Sequence, residues 1–369
     1  MRIVYFTHSL VSCWNHGNAH FLRGVMRSLL AEGHDVQVIE PAQSWSREHL
    51  LAEHGAQAQR DFAERFPMLA DRVTIGDGAV EAATDDADLV IVHEWNEPAL
   101  VAAIGAKRAH GGRFTLLFHD THHRMVSEPD AMGRFDLSAY DAVLAFGETL
   151  SEAYRRQGWG DRVFTWHEAA DTALFHPPQT PQPRAGAVWI GNWGDGERSK
   201  ELRDYMLEPV CNLGVRLDIY GVRYPEDAKA ELARRGIGYH GWAANARAPE
   251  IFARHLFTMH VPRRFYVSHL PGIPTIRVFE ALACGIPLLS APWQDSEQLF
   301  SPGSDFLQAR TPAEMHSMMR DLINDPVLRQ HLATHGWKTI QSRHSCRHRA
   351  QELLVIAGRL RATAAQVAA

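Results

Sequence analysis

The chain has 369 residues, enough for two domains of ordinary size, each with its own apolar core. Hydrophobic residues make up 45% and charged residues 22%, a soluble globular composition, and a formal net charge of −5 argues against a broad basic surface for nucleic acid. Four widely spaced cysteines at 13, 211, 284 and 346 exclude a zinc ribbon or a disulfide framework and point to reduced thiols.

No run of 18 apolar residues occurs, and the N-terminal segment lacks an export signal pattern, so the expected location is the cytoplasm, with no transmembrane segment. In chain order, residues 3–6 form a short apolar strand that runs into the polar loop 7–18. Phe21, Val25 and Leu29, flanked by Leu22, Met26 and Leu30, then repeat at helical spacing until Gly33, and 36–40 reads as a second strand. This is a βαβ unit with parallel strands. Residues 41–85 form a polar, largely helical insertion with one short strand at 73–75. Strands return at 89–92, 115–118 and 142–146, with helices at 97–110 and 148–157 between and after them.

Polar residues gather behind these strands: His8, then His93 and Glu94, then His119, Asp120, Thr121, His122 and His123, and finally Gly147 and Glu148. Ligands of open α/β sheets bind at the carboxyl ends of strands, so this recurrence marks a cleft. Residues 175–184 hold four prolines between 177 and 183, which makes a stiff, extended linker. The α/β pattern then restarts, with strands at 188–191, 215–220, near 239, 256–261 and 287–290. Helices at 197–213, 225–235, 249–255, 312–322, 326–334 and 344–362 complete it.

The stretch 270–290 combines a Gly/Pro loop, a helix and an apolar strand. Pro274 suits the first helical turn and Gly285 the left-handed residue after the last, so the helix is expected from about 274 to 285. Ile276, Phe279 and Ala283 share one face, which leaves Glu280 on another side, free to meet a ligand.

Three segments carry a resemblance. Residues 168–177 are similar to the asparagine/glycine-valine-Asp then Phe-x-Pro passage that enters the second domain of the GT-B glycosyltransferases. Residues 277–287 (RVFEALACGIP) match their Glu-Ala-x-Ala-Cys-Gly-x-Pro signature, and 345–354 looks like their closing helix. Within that group the chain most resembles the spore-maturation CgeB-like family. The resemblance implies an α/β fold of two doubly wound Rossmann-like domains facing each other across a cleft. Its expected parts are an acceptor-side domain at 1–172, a linker at 173–186, a nucleotide-sugar domain at 187–340 and a helix crossing back at 341–369.

The implied activity is transfer of a sugar from a nucleotide diphosphate sugar, UDP-sugar being the commonest donor, to an acceptor hydroxyl. The expected reaction uses no metal and no further cofactor, and retains configuration. A sugar-nucleotide epimerase of the same fold, or a non-catalytic nucleotide-sugar-binding subunit, are the alternatives. Glu280 takes the position of the carboxylate that accepts hydrogen bonds from the ribose hydroxyls, its other reading being an ion pair with Arg277. Many retaining members carry a second acid eight residues earlier, where this chain has Gly272.

Candidates for stabilising the leaving diphosphate are Arg198 and Lys200 behind the glycine loop 191–196, together with Arg263 and Arg277. Gly17 resembles the glycine that lets backbone approach the diphosphate, and Trp242 the residue beside the base. On the acceptor side the candidates are His119, as a base titrating near neutrality, or Asp120 as the base with His119 structural. A metal cluster of His119, Asp120, His122 and His123 is set aside because neighbours on a strand end point apart.

Overall fold

The computed structural model describes residues 1–76, 80–180 and 182–368; residues 77–79 of the insertion, Pro181 of the linker and Ala369 lie outside the described residues. The chain divides into two compact units, Met1–Glu168 with Cys346–Ala369, and Ala169–Ser345.

Unit 1 is built on a seven-stranded sheet in the order β3-β2-β1-β4-β5-β6-β7. Its strands are β1 (Arg2–Phe6), β2 (Asp35–Glu40), β3 (Val73–Ile75), β4 (Leu89–His93), β5 (Thr115–Asp120), β6 (Ala142–Ala145) and β7 (Val163–Thr165), and every pairing is parallel. β4 and β5 are buried at every position, as strands covered on both faces must be, which is why they read as unbroken apolar runs. The register sets Tyr5 beside Ile91 and His93 beside His119. β5 is two residues longer than the apolar run 115–118 suggests, so His119 and Asp120 lie inside the strand rather than after it.

The insertion holds the helix Trp45–Arg65, interrupted at Gly55, whose φ of 66° and ψ of −176° are not helical. The terminal helix Cys346–Ala368 belongs to unit 1: Trp166 Nε1 donates to Arg349 O at 2.9 Å, and Arg361 pairs with Asp88 at 3.0 Å.

Unit 2 has a six-stranded sheet, β10-β9-β8-β11-β12-β13, formed by β8 (Ala187–Ile190), β9 (Leu217–Tyr220), β10 (Gly238–Tyr239), β11 (Phe257–His260), β12 (Leu288–Ser290) and β13 (Leu307–Gln308), again all parallel. Its core packs Trp189, Leu202, Met206, Ile219, Phe257, Met259 and Leu289 with Met315 and Met319 of the helix Pro312–Asn324. Residues 173–186 carry neither helix nor strand among those described. All four cysteines are thiols, and among the described residues no helix is long and apolar enough to cross a membrane.

The helix of the 270–290 stretch spans Ile276–Ala283, with Thr275 at its N-cap. Pro274 therefore precedes the cap instead of occupying the first turn. Seven of the eight helical residues are buried, Glu280 among them. Packing rather than capping holds this helix, since Thr275 makes no side-chain cap bond, whereas full burial of one side chain such as Phe279 stabilises by about 1.5–3 kcal/mol. Gly285 has the left-handed φ of 60° expected after the last turn.

Candidate functional site

Each sheet reverses its strand order once, and the crevice at such a reversal is where open α/β sheets bind ligands. In unit 2 the reversal lies between β8 and β11, bordered by the loop 191–198 and by residues 261–263. Gly221 brings the neighbouring β9 loop against this one; a Cβ there would sit 2.0 Å from Gly191 O.

Arg198 spans the crevice. Its Nη1 donates to Val261 O at 2.9 Å, and its Nη2 to Asn192 O at 2.9 Å and Asn192 Oδ1 at 2.7 Å. The side chain is 8% exposed, its Nε has no hydrogen-bond partner among the described residues, and no carboxylate is among its partners. Burial, then the nearby Arg263, pull its pKa down to about 10, with Arg277 adding to the repulsion. A buried guanidinium held by neutral oxygens beside two further arginines is an anion site in waiting.

Arg263 is engaged by the acids of the loop, Nη1 with Glu197 at 2.7 Å and Nη2 with Asp195 at 3.7 Å. Arg277 pairs with Glu280, so the ion pair weighed from the sequence does form. Glu280 is fully buried, which corrects the expectation of a carboxylate standing free on another face of the helix. Lys200 points elsewhere: it is 76% exposed and pairs with Asp204 four residues on. Two residues from Arg198 on a helical turn is far enough to put it on a different side.

A cavity of about 580 Å³ lies beside the glycine loop, lined by Trp193, Asp195, Ser199, Arg223 and Tyr224 among others. Trp242 is half-buried on the turn after β10. Gly272 has φ of 92°, and a Cβ on it would lie 2.3 Å from Ser296 Oγ, so any side chain here needs a left-handed backbone and a shifted serine.

In unit 1 the reversal lies between β1 and β4, bordered by the loop 7–18 and residues 94–97. Asn96 Nδ2 ties the two sides by donating to Phe6 O at 2.9 Å. His8 stacks on Trp45, ring centroids 5.2 Å apart at 13°, and meets the edge of His16 at 4.1 Å. Gly17 is half-buried in this loop, and Asn18 caps nothing, its Nδ2 reaching Thr121 Oγ1 at 2.5 Å. His93 Nε2 meets the same hydroxyl at 3.0 Å.

His119 is buried in the core, with Nδ1 bonded to Tyr5 Oη and its ring 4.8 Å from that of Trp166. Burial pulls its pKa to about 3, so it is neutral at pH 7 and lacks the near-neutral titration expected of a base. Asp120 is also buried; Tyr154 donates to Oδ2 at 2.7 Å and the His122 amide to Oδ1 at 3.1 Å. Its pKa rises to about 6 through burial.

Two features were not singled out as site residues from the sequence. Glu94, fully buried directly after β4, has Arg124 Nη1 3.2 Å from Oε2. Arg124 in turn lies over the Trp95 ring, 4.5 Å from its centroid. The visible signal was the HEWN run after an apolar strand. Among the described residues no group of three or more His, Cys, Asp or Glu could hold a metal ion.

Residues 200–355 match a family model described as glycosyl transferase-like. Among curated proteins none matches. An alpha-glucosyltransferase solved with UDP and a 13-mer DNA containing a central A:G mismatch is 12% identical over 97% of this chain and 100% of its own, with a TM-score of 0.70. Sucrose-phosphate synthase from Thermosynechococcus elongatus is 13% identical, covering 98% of this chain and 100% of its own, with a TM-score of 0.65. T4 phage BGT in complex with its UDP-glucose substrate is 12% identical, covering 95% and 97%, with a TM-score of 0.59. At such identities the likeness shows the fold: two Rossmann-like domains of the GT-B type.

Proposed function

We propose that the protein is a glycosyltransferase in which unit 2 holds a nucleotide diphosphate sugar, most simply a UDP-sugar, and unit 1 the acceptor. The observation that carries this reading is the guanidinium of Arg198, buried at the β8/β11 crevice, hydrogen-bonded among the described residues to neutral oxygens and flanked by Arg263 and Arg277. A diphosphate leaving group needs fixed positive charge as its bond to the sugar breaks, and prepaid dipoles and cations in a dry crevice supply it. Glu280 positions Arg277 and accepts the ribose hydroxyls. The glycosyl transferase-like match over 200–355, which includes Glu280 and Arg263, and the UDP held by an alpha-glucosyltransferase of similar fold both support the donor assignment. The finer resemblance to the CgeB-like group is drawn from the segments 168–177, 277–287 and 345–354.

The arginines fill the electrostatic role, so turnover is expected to persist in a chelator. A thermal-shift screen with UDP, GDP, ADP and dTDP, followed by nucleotide-release assays across sugar nucleotides, tests the reading, because a ligand of the native state raises the melting point by mass action. Glu280→Ala is expected to weaken nucleotide binding at least tenfold. Absence of any nucleotide-induced shift in the wild type would overturn the assignment.

A further inference from the structure

Unpartnered buried atoms are concentrated at the β1/β4 crevice of unit 1. Thr7 Oγ1, both ring nitrogens of His8, Glu94 Oε2 and Asn96 Oδ1 have no hydrogen-bond partner among the described residues, although these side chains are at most 5% exposed. A buried polar atom left without a partner destabilises the fold, and five atoms on the two loops that border one crevice form a cluster no fold needs for its own sake. Arg124 does not relieve Glu94: its Nη1 is near Oε2 but out of line for a hydrogen bond, being directed at Glu94 O at 3.4 Å.

The cations nearby are engaged. Arg47 and Arg124 face the carboxylates of Glu40 and Glu94, at 2.9 and 3.2 Å, and Arg23, held by Leu10 O and Val11 O, lies over the rings of Phe62 and Phe66. What the crevice does offer is neutral donors and acceptors, one carboxylate, and the half-buried indoles of Trp45 and Trp95, with ring centroids 6.3 Å apart. That combination suits a neutral polyhydroxyl compound, whose hydroxyls both donate and accept and whose C–H faces pack on aromatic rings.

We propose that this crevice binds a saccharide acceptor and that Glu94, rather than His119 or Asp120, takes the proton from the attacking hydroxyl. The proposal rests on the glycosyltransferase reading above. The acceptor enters by displacing the Trp45 or Trp95 ring from His8. Its O–H proton passes to Glu94 Oε2, its oxygen bonds to the anomeric carbon, and the bond from that carbon to the diphosphate oxygen breaks, the electron pair leaving with the nucleoside diphosphate. Such a single displacement inverts the anomeric centre. The alternatives are worse placed: both Asp120 oxygens are engaged, and His119, with Nδ1 bonded to Tyr5 and Nε2 unpartnered, lies within β5 with its ring against Trp166 rather than on a loop bordering the crevice. Around Glu94 stand Asp120 of β5, Arg124, Tyr5 of β1 and Tyr154. Burial and then Asp120 raise its pKa while Arg124 opposes them, which makes the ionised form a stronger base than a surface glutamate.

The test is Glu94→Gln in the full chain. Turnover is expected to fall about 10²- to 10⁴-fold, nucleotide affinity to stay within about twofold, and the acidic limb of the pH–rate profile to disappear. If that variant does not fold, Glu94→Asp, which withdraws the carboxylate, is expected to lose at least about tenfold in turnover with the same nucleotide affinity. Saturation-transfer NMR of the UDP complex with a panel of methyl glycosides should show sugar contacts, a 13-mer DNA duplex should not bind, and the product should have inverted configuration. Activity of the variant within about threefold of wild type, retained configuration, or DNA as the sole acceptor would each overturn the proposal and leave the donor assignment standing. A wild type that binds no nucleotide removes both.

Discussion

Replacing Gly272 by alanine measures what a Cβ costs at this position. The left-handed φ of 92° costs a residue with a Cβ about 1–2 kcal/mol. The new Cβ also meets Ser296 Oγ at 2.3 Å and Glu297 Cγ at 3.2 Å. Since Oγ ends a short rotatable side chain, that clash resolves by moving the serine off its rotamer, for about 0.5–1.5 kcal/mol. Loss of glycine's freedom in the unfolded chain returns about 0.4–1 kcal/mol. Backbone strain therefore dominates, and the net destabilisation is expected to be about 1–2 kcal/mol, a fall of about 2–8 °C in the melting of unit 2. Scanning calorimetry on Gly272→Ala, Ser296→Ala and the double variant separates the contributions: Ser296→Ala should recover only the smaller, steric part. A Gly272→Ala protein that melts within 1 °C of wild type, or a double variant fully restored, would refute the reasoning.

Arg198→Met should reduce nucleotide affinity by about 10- to 100-fold in calorimetry, because it removes a charge-assisted donor set from the crevice, whereas Lys200→Met should leave it within about twofold. His119→Ala should destabilise unit 1 by about 2–4 kcal/mol, read from urea midpoints, since it opens a cavity and strips Tyr5 Oη of its partner; turnover per folded molecule should stay near wild type. His260 is buried with its pKa pulled to about 3, and Ser290 Oγ lies 2.9 Å from Nδ1. Between that value and the unfolded pKa of 6.5 the unfolded chain binds a proton the native state refuses, so its contribution is intact above pH 6.5 and is lost as pH falls toward 3. His260→Gln should remove about 1.4 kcal/mol per pH unit of acid sensitivity in that window, measured by denaturation at pH 7.5 and 5.0.

The apolar runs at 3–6, 89–92 and 115–118 disclosed their strands because a parallel sheet covered on both faces leaves no polar position. The same logic hid where β5 ends: His119 and Asp120 look like loop residues, but Tyr5 and Tyr154 give them partners inside the core, and such pairings across 114 and 34 residues leave no local trace. The edge strands β7 and β13, three and two residues long, went unread. Glu280 was placed correctly on its helix and wrongly in its surroundings, since an amphipathic reading assumes one wet side and this helix has almost none. Arg198 and Lys200 were equivalent in sequence; only the packing of Arg198 against Val261 and Asn192 tells them apart.

The return of the terminal helix to unit 1 has a temporal meaning. Unit 2 is one continuous segment, Ala169–Ser345, and has every residue it needs as soon as that segment has been synthesised. Unit 1 is begun before it yet lacks the backbone oxygen that accepts from Trp166 and the guanidinium that donates to Asp88 until the helix Cys346–Ala368 emerges. The unit that is begun first is thus completed only after the other.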